Sequence, residues 1–412
     1  LDSEDILLEK AGGRFLAKDI ESKTDIPFFN NSAMDGFALD FKSTLKASYN
    51  NPVKFKVIGS ISAGSGKEEI DKVTAEFYKP DRTEDIAVKI STGAPLPPCF
   101  NTVLKVEDST VECQETSSDQ YLVISKPLEK MRNIRLKGED IKKGSVVAKR
   151  GSYISPCKQG LISSLGITTI PVFKKPLCII ISTGSELMLP NLKEEPLPLG
   201  KIYSSSHIFL IEALRSISTA VKWKGVVADS QEELRKTVEA ALQEAPSVII
   251  TTGGVSMGER DYIPKVLKEV GFKIVFHKVA IRPGKPVLLA VFDKKISGKT
   301  NTVFFGLPGN PLSTIVGWRF FVLPYLLSLF KSKENLLPKA YNYSLFKKPK
   351  ELTYFALASY LPEKNRVKII EKQRSFMLSP FIESTYWCIL PVGKDVIMAD
   401  EELALLPFSP IL

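Results

Sequence analysis

Three stretches of this chain share one pattern: a short run of apolar and β-branched residues that stops at a glycine turn. They are residues 177–184 (LCIIISTG), 247–254 (SVIITTGG) and 301–311 (NTVFFGLPGNP). A strand without polar alternation is buried on both faces, as in a parallel sheet covered by helices. Helical patterns lie between and beside these runs at residues 207–216, 229–245 and 261–271, and a further strand is predicted at 222–229. The second of those helices opens with an acidic first turn, which suits a helix N-terminus. An open α/β domain with a mostly parallel sheet is therefore predicted over residues 173–330. Ligands of such sheets bind beyond the carboxyl ends of the strands. Here those ends are STGSE, TTGGVSMGERD and GLPGNP.

The rest of the chain has a different texture. Residues 3–16 place Ile6, Leu7, Leu8 and Ala11 at helical spacing, so a short helix is predicted there. Residues 55–64 and 86–95 are β-rich and punctuated by Gly and Pro, as in a small β-domain. Residues 138–156 read as turn, strand, turn, and residues 155–167 as a helix with Ser155 as cap and Pro156 in its first turn. Beyond Lys331 the strings VKIIEKQ and YWCILPV point to a further small β-domain. A chain of 412 residues is expected to form two to four domains.

Composition removes several function classes. The net charge of +10 suits anionic ligands, but the lysines are spread out and no nucleic-acid recognition motif is present. Five scattered cysteines without a CxxC pair argue for reduced thiols and a cytoplasmic setting. Together with two histidines, His207 and His277, they cannot build a four-ligand zinc site. Neither histidine accompanies a nucleophile-elbow motif, which argues against a serine-hydrolase triad. The start, with Asp2, Glu4 and Asp5, is unlike a leader peptide. The greasiest stretch, residues 320–330, is interrupted by Pro324, so a packed helix is expected rather than a membrane span.

Chemistry is therefore expected to rest on carboxylates, cations and backbone amides. Gly253, Gly254 and Gly258 allow several N–H groups to turn toward one anion. Asp261 follows them, where it either caps a helix or holds a divalent cation. Glu186, just past Gly184, is placed to bind a metal or a polar heterocycle. Lys278, Arg282 and Lys285 lie in HKVAIRPGKP and would clamp an oxyanion if they share one side. Residues 306–311 add a rigid turn that includes Pro308, Gly309, Asn310 and Pro311. In the first half, Asp35 (NNSAMDGFAL), Thr92 (ISTGAPLPP) and Asp140 (NIRLKGEDI) read on physical grounds as turn residues.

Taken in order, NSAMDG, TGAPLP, GEDI, STGSEL, TTGGVSMGERDY, IRPGKP and GLPGNP resemble the molybdopterin molybdenumtransferase family, to which the E domain of gephyrin belongs. The likeness runs over about residues 7–330. It implies four parts: an elongated dimerisation domain from residues 1–22 and 141–172, an inserted β-domain at 23–140, the α/β domain at 173–330, and a C-terminal β-barrel at 331–412. It also implies a homodimer whose site joins the α/β domain of one subunit to the inserted domain of the other, giving Asp35, Thr92 and Asp140 catalytic roles. The implied reaction is Mg²⁺-dependent transfer of molybdenum from molybdate to adenylylated molybdopterin, with release of AMP. Glu186, Asp229, Asp261, Lys278 and Arg282 would be catalytic, with Glu186 and Asp261 as metal ligands. Gly184, Gly253, Gly254, Ser256, Gly258, Lys285, Pro308, Gly309, Asn310, Pro311 and Ser375 would bind substrate. Contact with the molybdopterin adenylyltransferase that makes the substrate is a further implication.

The chain also departs from that pattern. Ser185 replaces an acidic residue, and YSSS (residues 203–206) replaces YDSN, placing Ser204 and Ser206 where Asp and Asn are usual. A segment usually reading RTEFxR is LTYFAL (residues 352–357), which loses two arginines; Arg374, beside Ser375, is the candidate substitute. Competing readings are a non-catalytic dimeric pterin-binding scaffold and a molybdopterin adenylyltransferase, the latter weakened by the additional domains.

Overall fold

The computed structural model describes residues 1–114, 119–190, 197–256, 258, 261–293, 301–333 and 339–408. They fall into two compact units, one of residues 19–148 with 164–166 and one of residues 1–18, 149–163 and 167–412.

The first unit is built on a six-stranded sheet in which Gly36–Leu39 lies between Ile86–Ile90 and Thr102–Lys105. One side of its core gathers Ala38, Ile61, Val88, Ile90 and Val103, and the other Phe37, Leu39, Phe55, Leu104 and Leu122. The alternation of these residues along each strand is the period-two signature expected of a sheet covered on both faces. The β-rich reading of residues 55–64 and 86–95 is met by strands Val53–Ile61 and Ile86–Ile90.

The second unit corrects one expectation at its start. Residues 3–16 are not helical: Ser3–Leu7 is a strand paired antiparallel with Thr169–Phe173, followed by a single 3₁₀ turn at Leu8–Lys10. The apolar spacing suited a helix, but Gly12 and Gly13 leave it no room to propagate, and the partner strand supplies the backbone hydrogen bonds instead. The helix Pro156–Ser164 forms as expected, with the Ser155 hydroxyl accepting from the Lys158 N–H at 3.4 Å.

The α/β part holds six strands: β1 (Leu177–Thr183), β2 (Ala220–Val227), β3 (Val248–Thr252), β4 (Lys273–His277), β5 (Leu288–Phe292) and β6 (Thr302–Leu307). Their order is β2-β1-β3-β6-β5-β4, with the first four parallel and β5 antiparallel to both neighbours. Two reversals return β4 to the direction of β6, so its end at His277 lies on the same edge as Thr183, Thr252 and Leu307. Helices α1 (Ser206–Arg215), α2 (Gln231–Gln243) and α3 (Ile263–Val270) cover the sheet. Cys178 and Ile180 of β1 pack with Leu210 and Leu214 of α1, whereas Ile179 and Ile181 pack with α2 and α3. Burial on both faces explains the unbroken apolar run that marked β1 in the sequence.

The chain leaves β1 toward β2 and returns on the other side of β1 as β3. That reversal opens a crevice at the carboxyl ends of β1 and β3, where a doubly wound sheet takes its ligand. The helical stretch Pro311–Leu329 is, among the described residues, the one long and apolar enough to cross a membrane, and most of it is buried within this unit.

Residues 339–408 belong to the same compact unit as the α/β sheet. Their central strands, Thr353–Leu361, Arg366–Ile369 and Tyr386–Leu390, are antiparallel, and the short strand Ile281–Arg282 joins them in parallel with Thr353–Tyr354. A shared apolar cluster of Ile281, Leu312 and Val316 with Phe355, Leu357 and Trp387 backs that pairing, and the Phe320 ring stacks on Phe355 at 3.8 Å.

Candidate active site

The strand ends at the crevice are stitched together before any side chain enters it. The Thr183 hydroxyl donates to the Thr252 carbonyl at 3.1 Å, and the Gly253 N–H donates to the Leu307 carbonyl at 2.9 Å. Gly253 has φ +90°, and a Cβ there would lie 2.6 Å from the Thr183 carbonyl oxygen. No other residue type fits, because the backbone of β1 occupies the space.

Above this floor is a cleft of about 560 Å³. Glu186, Gly253, Gly254, Ser256, Asp261, Pro308, Gly309, Asn310 and Pro311 all line it, so the three glycine-rich segments do converge. Gly184 and Gly258 sit in the adjoining turns. Asp261 does not cap α3, whose cap position is Tyr262 and has no side-chain bond. Its Oδ2 instead accepts from the Gly258 N–H at 2.6 Å, closing the loop that precedes the helix. Within that loop Met257, Glu259 and Arg260 lie outside the described residues.

Asp229 is not in the lining. Its carboxylate accepts from the Ser185 N–H at 3.0 Å, and its own N–H donates to the Ser185 hydroxyl at 3.3 Å, so it braces the turn that carries Glu186. None of the three cations of HKVAIRPGKP is in the lining of the glycine cleft, which this loop reaches through Pro286. Backbone bonds from Lys278 N–H to the Val287 carbonyl and from Val279 N–H to the Lys285 carbonyl fold that loop on itself. Arg282, held by its strand pairing, lines a second cleft of about 500 Å³ with Lys347, Lys372 and Arg374. Phe376 lines both clefts. Ser375 reaches the first through its neighbours: the Asn310 amide donates to its hydroxyl at 3.3 Å, and the Leu312 N–H to its carbonyl at 3.0 Å.

Sequence reasoning missed Ser204, Ser205 and Ser206 as lining residues, together with Tyr203 and Phe376. The serines were visible only as a departure from the family's motif; nothing in RSFMLS marked Phe376. Behind the serines, the Ser204 hydroxyl lies 2.8 Å from His207 Nδ1, and the His207 ring stacks on Trp223 at 4.4 Å. Trp223 Nε1 donates to the Ser182 hydroxyl at 3.3 Å. Burial holds the His207 pKa below the ordinary imidazole value.

In the other unit, Asp35 and Thr92 form one pair. The Thr92 N–H donates to one oxygen of the Asp35 carboxylate at 2.9 Å, and its hydroxyl to the other at 3.2 Å. The Asp140 N–H donates to the Ile26 carbonyl at 3.0 Å, which fixes its backbone and leaves its side chain exposed. The five cysteines are free thiols; burial pushes Cys178 and Cys388 up to about 12.

No group of three or more His, Cys, Asp or Glu side chains is gathered among the described residues. Glu186 and one oxygen of Asp261 remain for a cation in the cleft. Mg²⁺ in a substrate-bridged mode takes one or two carboxylates with phosphate oxygens and water, so these two acids are the residues that would hold it.

A doubly wound sheet with a cleft at its switch point defines an α/β ligand-binding domain. Residues 1–166 match the family described as MoeA N-terminal region (domain I and II), and residues 179–328 the one described as "Probable molybdopterin binding domain". The molybdopterin molybdenumtransferase of Synechococcus elongatus is 34% identical over 398 residues, spanning 96% of this chain and 92% of that protein. That of Haemophilus influenzae is 30% identical over 416 residues, spanning 100% and 95%. The solved molybdopterin biosynthesis MoeA protein of Pyrococcus horikoshii superposes with a TM-score of 0.78 at 26% identity, covering 98% of this chain and 94% of that one. The chain belongs to the molybdopterin molybdenumtransferase family, transferases of molybdenum cofactor biosynthesis.

Proposed function

We propose that this chain moves molybdenum from molybdate onto the dithiolene of adenylylated molybdopterin in the cytoplasm, releasing AMP. The observation that carries this reading is the cleft into which three strand ends and the start of α1 bring three glycines, three consecutive serines and two carboxylates. The start of α1 receives phosphate oxygens, since the Gly253 and Gly258 N–H groups are already given to the Leu307 carbonyl and the Asp261 carboxylate. The serines and Glu186 pair with the polar edge of the heterocycle. Mg²⁺, held by Glu186 and Asp261, would neutralise phosphate charge when bound. The second cleft supplies cations for molybdate through Arg282, Lys347, Lys372 and Arg374, adjacent to the first across Phe376. Incubating the protein with adenylylated molybdopterin, Mg²⁺ and molybdate and following AMP tests the whole reading. AMP release that does not depend on molybdate would sink it.

Leu357, which stands where the family carries an arginine, is sealed in the apolar core, so no cation serves from that position. This observation favours the scaffold reading unless Arg374 takes over. Arg374→Ala is then expected to raise the molybdate requirement by roughly one to two orders of magnitude while sparing pterin binding, since one charged contact is worth about 1.5–3 kcal/mol. An unchanged molybdate response would return Arg374 to the surface and strengthen the scaffold reading.

The homodimer belongs to the same proposal, with Asp35, Thr92 and Asp140 of one subunit serving the cleft of the other. An elongated, discontinuous dimerisation domain of residues 1–22 and 141–172 is part of the proposal; the pairing of Ser3–Leu7 with Thr169–Phe173 supports its discontinuity. The mostly antiparallel sheet of residues 339–408, with Ala340–Asn342 and Arg366–Ile369 paired in parallel, is read as a C-terminal barrel in this proposal. Mixing inactive Asp35→Ala and Asp261→Ala subunits is expected to restore about a quarter of wild-type activity, because half of randomly exchanged dimers carry one intact site of two. No recovery after verified subunit exchange would mean that each subunit completes its own site.

A further inference from the structure

Ser204 lines the main cleft and His207 sits directly behind it, both more than nine-tenths buried. One face of the His207 ring stacks on Trp223 at an interplanar angle of 18°, and Trp223 is itself anchored to Ser182. Its Nδ1 faces the Ser204 hydroxyl, 2.8 Å away. A hydroxyl has one proton and two lone pairs. If that proton points back at His207, only lone pairs face the cleft; if it points forward, Ser204 becomes a donor to whatever is bound. The partner ring decides which, through the tautomer it adopts.

We propose that His207 is a positioning residue whose Nδ1 accepts the hydrogen bond donated by the Ser204 hydroxyl, so that Ser204 reads N–H groups on the pterin ring of the substrate as a hydrogen-bond acceptor. The Ser204–His207 pair thereby keeps an acceptor at a position where the family's motif has an aspartate, without placing a charge there. Burial of His207 favours the neutral ring, and a neutral ring with a proton on Nε2 offers Nδ1 as acceptor. The pterin ring is rich in amino and imino N–H donors along one edge, which suits an acceptor fixed in a cleft wall. The proposal rests on the reading of this cleft as the pterin nucleotide site.

Nitrogen-15 NMR of the His207 ring in the wild-type protein tests the hydrogen-bond direction without a variant: a proton on Nε2 is expected, and a proton on Nδ1 overturns the proposal. His207→Phe keeps an aromatic ring on Trp223 and removes the acceptor. Binding of molybdopterin to that variant is expected to weaken about tenfold, with kcat at saturating substrate nearly unchanged. Ser204→Asp added to His207→Phe is expected to restore binding, since an aspartate accepts without help from His207. Unaltered binding in His207→Phe, or no rescue by Ser204→Asp in a double variant that melts like His207→Phe, also overturns it. Binding of AMP is the comparison arm; a tenfold loss there as well would remove the pterin assignment. Failure of the cleft reading looks different, because wild-type protein would then show no molybdopterin binding at all.

Discussion

Replacing Asp261 by alanine is expected to lower molybdenum transfer by about two orders of magnitude while the chain stays folded. Two losses combine in that variant. The Gly258 N–H, held at 2.6 Å by the carboxylate, loses its partner, and the cleft loses one of its two carboxylates. Asp261→Asn separates them, since its amide oxygen still accepts from Gly258 but carries no charge. If charge matters through Mg²⁺ and phosphate, the asparagine variant should be almost as slow as alanine, and the Mg²⁺ requirement of the remaining activity should rise. Full activity in Asp261→Asn would reduce this residue to a loop closure. The α3 helix should be unaffected in either case, because Asp261 takes no part in its capping.

Gly253→Ala is expected to be the most damaging small substitution in the α/β part. An alanine at φ +90° costs about 1–2 kcal/mol for the left-handed backbone. Its Cβ would also sit 2.6 Å from the Thr183 carbonyl and 2.7 Å from the Thr183 hydroxyl, so strand ends must part at a further cost of about 1–3 kcal/mol. A fall in Tm of roughly 5 °C should accompany a loss of ligand binding, since the displaced atoms form the cleft floor. Gly200→Ala is the control: Gly200 has φ +85° with nothing near its missing Cβ, so it carries the backbone cost alone. Equal destabilisation by the two substitutions would show that the contact with Thr183 relaxes freely, and the proposed damage to the cleft would fail with it.

The α/β sheet was legible because burial on both faces writes itself into the sequence as β1, β3 and β6, each an apolar run ending at a glycine turn. The convergence of Glu186, Gly253, Asp261 and Asn310 followed from that edge. Other parts were hidden for physical reasons. Residues 3–7 carry no signal of their own for a strand; Thr169–Phe173, more than 160 positions away, decides it. The cationic loop looked like a clamp because spacing cannot show that Arg282 is drawn off by strand pairing with Thr353–Tyr354. Asp229 carries the right chemistry but spends it on Ser185. Phe376 enters the cleft from far along the chain, and only tertiary packing could place it.

The strand Ile281–Arg282 has a consequence for how this chain can be divided. Its backbone is claimed by Thr353–Tyr354, and Ile281, Leu312 and Val316 share their apolar contacts with Phe355, Leu357 and Trp387. A fragment ending after Leu329 would leave that strand without its partner and strip the cover from an apolar surface that includes Phe320. Exchange of segments between relatives would meet the same obstacle: a transplanted C-terminal sheet must bring a matching edge for residues 281–282, or it inherits an arginine aimed at the wrong place. The loop holding Arg282 and the sheet that follows it are therefore constrained to change together, although more than 70 positions separate them along the chain.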